Sequence, residues 1–191
     1  KALSYNEDSY YDFLSAFCKS LRGSDANAAL YYAMRLIEGG CDPMLVARRL
    51  VVHSAEDVGM ADPRALQIAT SAMYALEKIG YPEAMIPLSQ AIIYVCEAEK
   101  SNSVVEAMYA AKADAISVRD DDIPAYLKDV SYGSKEDKKM GAQYKYPHDY
   151  GGYVEQQYLP DSIKDKVYYV PKDNGYEQQV KEIRKRKGKK Q

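Results

Sequence analysis

The chain has 191 residues, of which 47% are hydrophobic and 28% charged, and its formal net charge is -2. This is the composition of a soluble globular domain, and no apolar tract of about 18 residues is present that could span a bilayer. Its three cysteines are far apart and form no CxxC motif, which argues against a disulfide framework or a zinc site and favours a reduced, cytoplasmic protein.

The first two predicted helices have recognisable ends. Apolar side chains recur at helical spacing over residues 7–22, and Gly23 follows them as a C-cap. Ser24 is the N-cap candidate for a second helix that stops at Gly39-Gly40.

Four more helices are predicted up to residue 118. Asp-Pro dipeptides at residues 42–43 and 62–63 each place a capping carboxylate before a proline at the first helical position, so they begin the third and fourth helices. The third helix is predicted to end at Gly59, the fifth to begin at Pro82 and the sixth at Ser101. Because the linkers are short, neighbouring helices should pack antiparallel, as in a bundle. We therefore predict an all-α fold, with a helical domain over residues 1–142.

The pattern changes from residue 143. Prolines, glycines and eight tyrosines dominate residues 143–176, and no helical or strand period persists. A disordered linker is poor in aromatic residues, whereas tyrosine buries its ring and still finds a partner for its hydroxyl. We predict an ordered, irregular strap packed on the helices or on a neighbouring subunit. Its expected anchors are Tyr146, His148, Tyr150, Tyr153 and Tyr158.

The C-terminal end is strongly basic. Its last eleven residues carry a formal charge of +6, which leaves -8 for residues 1–180. An end of this kind is commonly a disordered extension and less commonly an arm for nucleic acid, so we predict disorder for residues 177–191 and keep the arm as the alternative. The candidate DNA contacts are Lys181, Arg184, Lys185, Arg186, Lys187, Lys189 and Lys190.

Motifs for catalysis are missing from the sequence. It contains no GxxxxGK[ST] phosphate loop, no GxGxxG and no GxSxG, so we predict no catalytic, cofactor-binding or metal residues. The stretch ARRLVVHSAED places Arg48, Arg49, His53, Glu56 and Asp57 together on a helix. They could form a polar relay or docking face, but a set of ion pairs on the helix surface is the commoner arrangement.

Three stretches in this order carry a resemblance to a known family: LRGSDANAALYYAMRLIEGGCDPMLVARRLVVHSAEDVGMADPRALQ, YPEAMIPLSQAIIYVCEAEKSNSV and YKYPHDYGGYVEQQYLPD. They resemble the C-terminal region of the replication-associated recombination protein A family. These AAA+ ATPases, also called MgsA, are bacterial relatives of the Werner-helicase-interacting protein. The resemblance runs from about Asp8 to Pro171. Val58 stands where isoleucine is expected, and the basic end after Val180 lies outside it.

The resemblance implies a helical collar related to the clamp-loader C-terminal domain, and self-association as a homotetramer. It further implies an N-terminal module, absent here, that binds ATP and Mg²⁺, and a DNA-dependent ATPase that acts on the nucleoid at stalled forks with other replication proteins. This chain itself would be no enzyme. Oligomerisation is the favoured function and a DNA-binding module the alternative, because a body of charge -8 is a poor surface for phosphates.

Overall fold

The computed structural model describes residues 7–119, 123–129, 131, 134–141 and 143–189. These residues contain helices and no strand, which confirms the all-α prediction. The α-helices are α1 (Glu7–Arg22), α2 (Ala26–Glu38), α3 (Pro43–His53), α4 (Arg64–Ile79), α5 (Met85–Glu97), α6 (Ser103–Ser117), α7 (Lys135–Gly141) and α8 (Tyr176–Arg186). None of the described helices is long and apolar enough to cross a membrane.

The chain divides into two compact units. The bundle unit comprises Lys1–Glu106 and Pro171–Lys181, and the second unit comprises Ala107–Val170 and Glu182–Gln191. This division differs from the predicted boundaries at residues 142 and 176, because the chain returns to the bundle unit near its C-terminal end.

Helices α1 to α5 build the core of the bundle unit. Helix α1 packs on α2 and α3, α4 packs on α3 and α5, and α2 packs on α5. Buried alanines on α2 to α5 allow the helix backbones to approach closely, and larger side chains fill the space between them. The largest apolar side chains of this core are Phe17, Leu21, Leu36, Val46, Leu50, Val58, Leu88, Ile92 and Val95. Helix α6, predicted as a sixth member, contributes only Ser103 to the buried residues.

The N-cap of α2 differs from the prediction. Asp25 has extended backbone angles and accepts a hydrogen bond from the Ala28 amide at 2.9 Å. Ser24 has a φ of 60° and closes the end of α1, where its amide donates to the Leu21 carbonyl. The prediction of Ser24 was wrong because an N-cap needs an extended backbone, which a residue in the left-handed region does not provide.

Asp42-Pro43 caps α3 as predicted, whereas α4 begins one residue later than predicted, at Arg64, with Pro63 at its N-cap position. Asp42 accepts from the Met44 amide at 2.9 Å, and Asp62 accepts from the Arg64 amide at 3.1 Å. The third helix, however, ends at His53 and continues as a π-helical turn, Ser54–Val58, followed by a 3-10 turn, Gly59–Ala61.

The start of the fifth and sixth helices is also later than predicted. Helix α5 begins at Met85 rather than at Pro82, and α6 begins at Ser103 rather than at Ser101. The residues before each start form turns or irregular backbone.

The prediction of disorder after residue 176 was wrong as far as Arg186, because these residues form α8. Its first turn is fixed to the bundle unit: Glu177 is fully buried and accepts a 2.8 Å hydrogen bond from the Ser103 hydroxyl. Just before the helix, the Asn174 amide donates to the Lys100 carbonyl at 2.8 Å. The prediction of disorder considered only the high density of charges in this segment. It overlooked that Tyr176, Val180 and Ile183 recur at helical spacing.

Gly175 should be the most sensitive glycine at this attachment. It has a φ of 56°, and a Cβ placed there would lie 2.2 Å from the Ala61 carbonyl oxygen. We expect Gly175→Ala to lower the free energy of unfolding by about 3 kcal/mol, because overpacking adds to the cost of a left-handed backbone. Gly40→Ala is the control: φ is 102°, no atom lies within 4 Å, and a loss of about 1 kcal/mol is expected. Equal losses in urea denaturation would contradict the close contact.

Candidate functional site

A buried carboxylate, Asp57, lies at the centre of the polar cluster of the bundle unit. Its Oδ2 is 2.8 Å from His53 Nδ1, and its Oδ1 accepts a hydrogen bond from Arg22 Nε at 2.9 Å. Glu56 is more peripheral, with its Oε2 3.6 Å from His53 Nδ1. The Asp57 cluster, defined as Arg22, His53, Glu56 and Asp57, therefore joins the end of α1 to the end of α3 and its π-helical turn.

The predicted face is only partly assembled in the structure. His53, Glu56 and Asp57 come together, whereas Arg48 is exposed and its side chain, like that of Arg49, forms no hydrogen bond or ion pair with any described residue. The interpretation as ion pairs on the helix surface was wrong for His53 and Asp57, since both are buried.

Sequence reasoning missed Arg22, which lies 35 residues from Asp57. Its only local indication is its place as a basic residue in the last turn of α1, which is equally consistent with an interaction with the helix dipole. The contact depends on how α1 crosses α3, and a helical period does not specify that crossing.

The hydrogen bonds of this cluster favour the charged forms of both His53 and Asp57, as the direction of their pKa shifts indicates. The hydrogen bond to Asp57 raises the pKa of His53 to about 9, the neighbouring Cys18 adds to the rise, and burial opposes it. Burial alone would raise the pKa of Asp57, but hydrogen bonds from His53 and Arg22 outweigh it and hold that pKa below its usual value. At neutral pH the cluster is therefore a charged carboxylate between an imidazolium and a guanidinium.

A cavity of about 440 Å³ lies beside the cluster. Its cations are already engaged: Arg22 bonds Asp57, and Lys172 bonds Asn102 and Glu106. The third cation, Lys100, donates to the carbonyls of Val95, Cys96 and Ala98 at the end of α5, and burial lowers its pKa. Because a ligand would have to displace these bonds, the cluster is suited to holding the bundle unit together rather than to catalysis.

The most unusual surface belongs to α6. Ten of its fifteen residues are apolar and they lie on all sides of the helix, yet Ser103 is its only buried residue. Met108, Tyr109 and Ile116 are each more than half exposed. A helix that is apolar all round is ordinarily buried, and contiguous exposed apolar surface commonly marks an interaction site.

The predicted strap anchors lie in the second unit. Tyr146, Tyr150 and Tyr158 are about half exposed, His148 is exposed, and Tyr153 is half-buried. The Tyr146 and His148 rings contact each other with centroids 5.1 Å apart. Packing of these side chains on a helix or on another subunit stays a prediction.

Other residues fix the strap within the second unit. The Gln156 side chain donates to the Lys145 carbonyl at 2.8 Å and to the Tyr158 hydroxyl at 2.9 Å. The Tyr168 hydroxyl donates to Asp114 of α6 at 2.7 Å, and the Tyr126 hydroxyl donates to the Gln157 carbonyl. Sequence patterns do not single out Tyr126 or Tyr168, because their partners lie 31 and 54 residues away along the chain.

Three of the seven predicted DNA contacts have partners in the chain. Lys181 pairs with Asp173, Lys185 lies 3.4 Å from Glu182, and the Arg184 guanidinium lies 5.0 Å from the centroid of the Tyr169 ring. Three cations are exposed and form no ion pair with any described residue: Arg186, Lys187 and Lys189. Lys190 lies outside the described residues.

Comparison with known proteins identifies close relatives over nearly the whole chain. Residues 23–187 match a family model described as the MgsA AAA+ ATPase C terminal. The chain is 48% identical over 187 residues to "Replication-associated recombination protein A" of Bacillus subtilis, covering 96% of this chain and 44% of that protein. The protein of the same name from Escherichia coli K12 is 40% identical over 177 residues, covering 92% and 40% respectively.

A eukaryotic protein is also similar. "ATPase WRNIP1" of Dictyostelium discoideum is 36% identical over 165 residues, which cover 85% of this chain and 19% of that protein. This chain therefore spans less than half the length of these relatives.

The raised pKa of His53 predicts a loss of stability at alkaline pH. The pKa of His53 is 6.5 in the unfolded chain and about 9 in the folded one. Protonated His53 therefore stabilises the fold fully below pH 6.5, and this contribution is lost as the pH rises through about 9. We expect the free energy of unfolding to fall by up to about 3 kcal/mol across this range, as measured by urea denaturation. His53→Gln should remove the decline, and His148→Gln, which changes the other, exposed histidine, should preserve it. A decline that persists in His53→Gln would assign it to another group.

Proposed function

Because the chain belongs to the family of MgsA AAA+ ATPase C-terminal regions, we propose that it is the module through which subunits of such an ATPase associate into a homotetramer. The observation that carries the proposal is α6, whose apolar residues occupy every side of the helix while nearly all of them remain accessible. The Asp57 cluster has a supporting role, since it keeps the bundle rigid.

The distribution of apolar side chains on α6 suits an assembly with several neighbours. Each subunit of a closed tetramer contacts at least two others, so a surface that is apolar on one side only would not suffice. Burying a large apolar side chain contributes about 1.5–3 kcal/mol. Covering Met108, Tyr109 and Ile116 would therefore stabilise the association by several kcal/mol per subunit.

The activity of the longer protein is a separate proposal. The relatives carry names that refer to replication-associated recombination and to an ATPase. We infer that the whole protein is a DNA-dependent ATPase that uses ATP and Mg²⁺ in its other module. It would act with replication proteins on the bacterial nucleoid at stalled forks, while the present chain hydrolyses no ATP.

Light scattering tests the association. We expect a mass of four times 21.5 kDa for the purified chain. Ile116→Asp on α6 should lower this mass, because burying a carboxylate in an apolar contact is unfavourable. Val170→Asp is the control, since Val170 is an aliphatic side chain, 59% exposed, that does not lie on α6. A monomer at tens of micromolar would contradict the proposal, and equal effects of both substitutions would contradict the role of α6.

The alternative, a DNA-binding module, is favoured by the exposed basic end of α8. At this end, Arg186, Lys187 and Lys189 form no ion pair with any described residue. If these three cations contact phosphates of duplex DNA, the slope of log K against log salt should be about -3. Replacing these three residues by Gln should abolish binding in fluorescence anisotropy. Retained affinity would place the DNA contact elsewhere on the chain.

A further inference from the structure

The corner between α4 and α5 in the bundle unit is unusually apolar for an exposed surface. Tyr74, Ile79, Tyr81 and Ile86 are between 58% and 75% exposed. They are four of the six most exposed large apolar side chains among the described residues of this unit, and all lie within thirteen consecutive residues. We call these four residues, with Glu38, Glu77 and Glu83, the α4–α5 corner.

The size of this corner limits what can cover it. Four such side chains, each exposed by more than half, present roughly 400–500 Å² of accessible surface. A stable interface between proteins needs about 800 Å² from each partner. The α4–α5 corner is therefore too small to hold two subunits together by itself, but it is large enough for a short peptide segment.

The charges of the corner specify a cationic occupant. Glu77 is exposed at the end of α4, Glu83 is exposed in the following turn, and the Tyr81 hydroxyl donates to Glu38 at 3.2 Å. Carboxylates beside tyrosine rings favour arginine and lysine through charge-assisted hydrogen bonds and cation–π contacts.

The corner already holds one cation of its own. Lys78 Nζ lies 5.6 Å from the centroid of the Tyr74 ring and 3.5 Å from Glu77. A docking arginine or lysine therefore displaces Lys78 from this ring and carboxylate, or binds Glu83, which is exposed and forms no ion pair with any described residue.

The chain itself contains a segment with the required chemistry. Arg186, Lys187 and Lys189 are exposed at the end of α8 and form no ion pair with any described residue. The two units also carry opposite formal charges, -5 for the bundle unit and +3 for the second unit. We propose that the α4–α5 corner of one copy binds the basic end of α8, residues 184–189, of a second copy.

This inference rests on the proposed association of copies and names one of its contacts. The α6 helices would provide the apolar contact, and the basic end would add a salt-sensitive one that selects which copies adjoin. It also gives the basic end of α8 a binding partner other than DNA.

The probe is a labelled synthetic peptide of residues 180–191; the 191-residue chain is titrated into it, and binding is followed by fluorescence anisotropy. Changing Arg186, Lys187 and Lys189 of the protein to Gln should strengthen binding of the probe at least threefold, because the competing basic end is neutralised. In that background, Glu77→Gln with Glu83→Gln should weaken binding at least fivefold. The matched control is Glu97→Gln with Glu99→Gln, which alters the net charge equally at the other end of α5 and should change binding less than twofold.

The outcomes separate this inference from the proposed function. Equal weakening by the two pairs of substitutions, or no saturable binding, would overturn the role of the corner. Light scattering on the same samples reports the association independently. A tetramer that does not bind the probe would refute the corner alone, whereas a monomer that binds it at the corner would refute the association and leave the recognition chemistry standing.

Discussion

The buried carboxylate of Asp57 is the constraint around which the bundle unit is arranged. A charge removed from water is tolerated only when it is paired and hydrogen-bonded, and here Arg22 of α1 and His53 of α3 provide that pairing. The backbone carbonyl of the same residue accepts from the Ser101 amide at 2.8 Å. One residue therefore fixes the end of α1, the π-helical turn and the linker that precedes α6: its charge is satisfied by Arg22 and His53, and its backbone carbonyl by Ser101.

Local chemistry accounts for what could be predicted from the sequence. Asp42 caps α3, and Asp62 binds the first amide of α4, because both carboxylates reach amides two residues ahead, and a short pattern contains all the parts of that interaction. The Arg22–Asp57 contact and the burial of Glu177 were missed because they join segments distant in sequence. The π-helical turn was missed for a different reason: the spacing of side chains alone does not distinguish it from a further turn of α3.

The sequence holds more apolar side chains than the core can use. Small residues on α2 to α5 reduce the volume between helices, so Phe17 and a limited set of aliphatic side chains fill it. Several of the remaining apolar side chains lie on two surfaces of different chemistry. The surface on α6 is mostly apolar, as the proposed contact with another apolar helix requires, whereas the α4–α5 corner combines aromatic rings with carboxylates, as the proposed contact with a cationic segment requires.

The return of the chain to the bundle unit at Pro171 affects how this unit can fold during synthesis. Helices α1 to α5 contact one another over short stretches of sequence and can assemble early. The bond between Ser103 and Glu177 spans 74 residues, so it forms only after Glu177 has emerged from the ribosome. Until then the linker before α6 lacks its last contacts, and the nascent bundle exposes the surface that α8 later covers. Closure of the bundle unit by α8 therefore comes later than assembly of its five core helices, by the time needed to synthesise the intervening 74 residues.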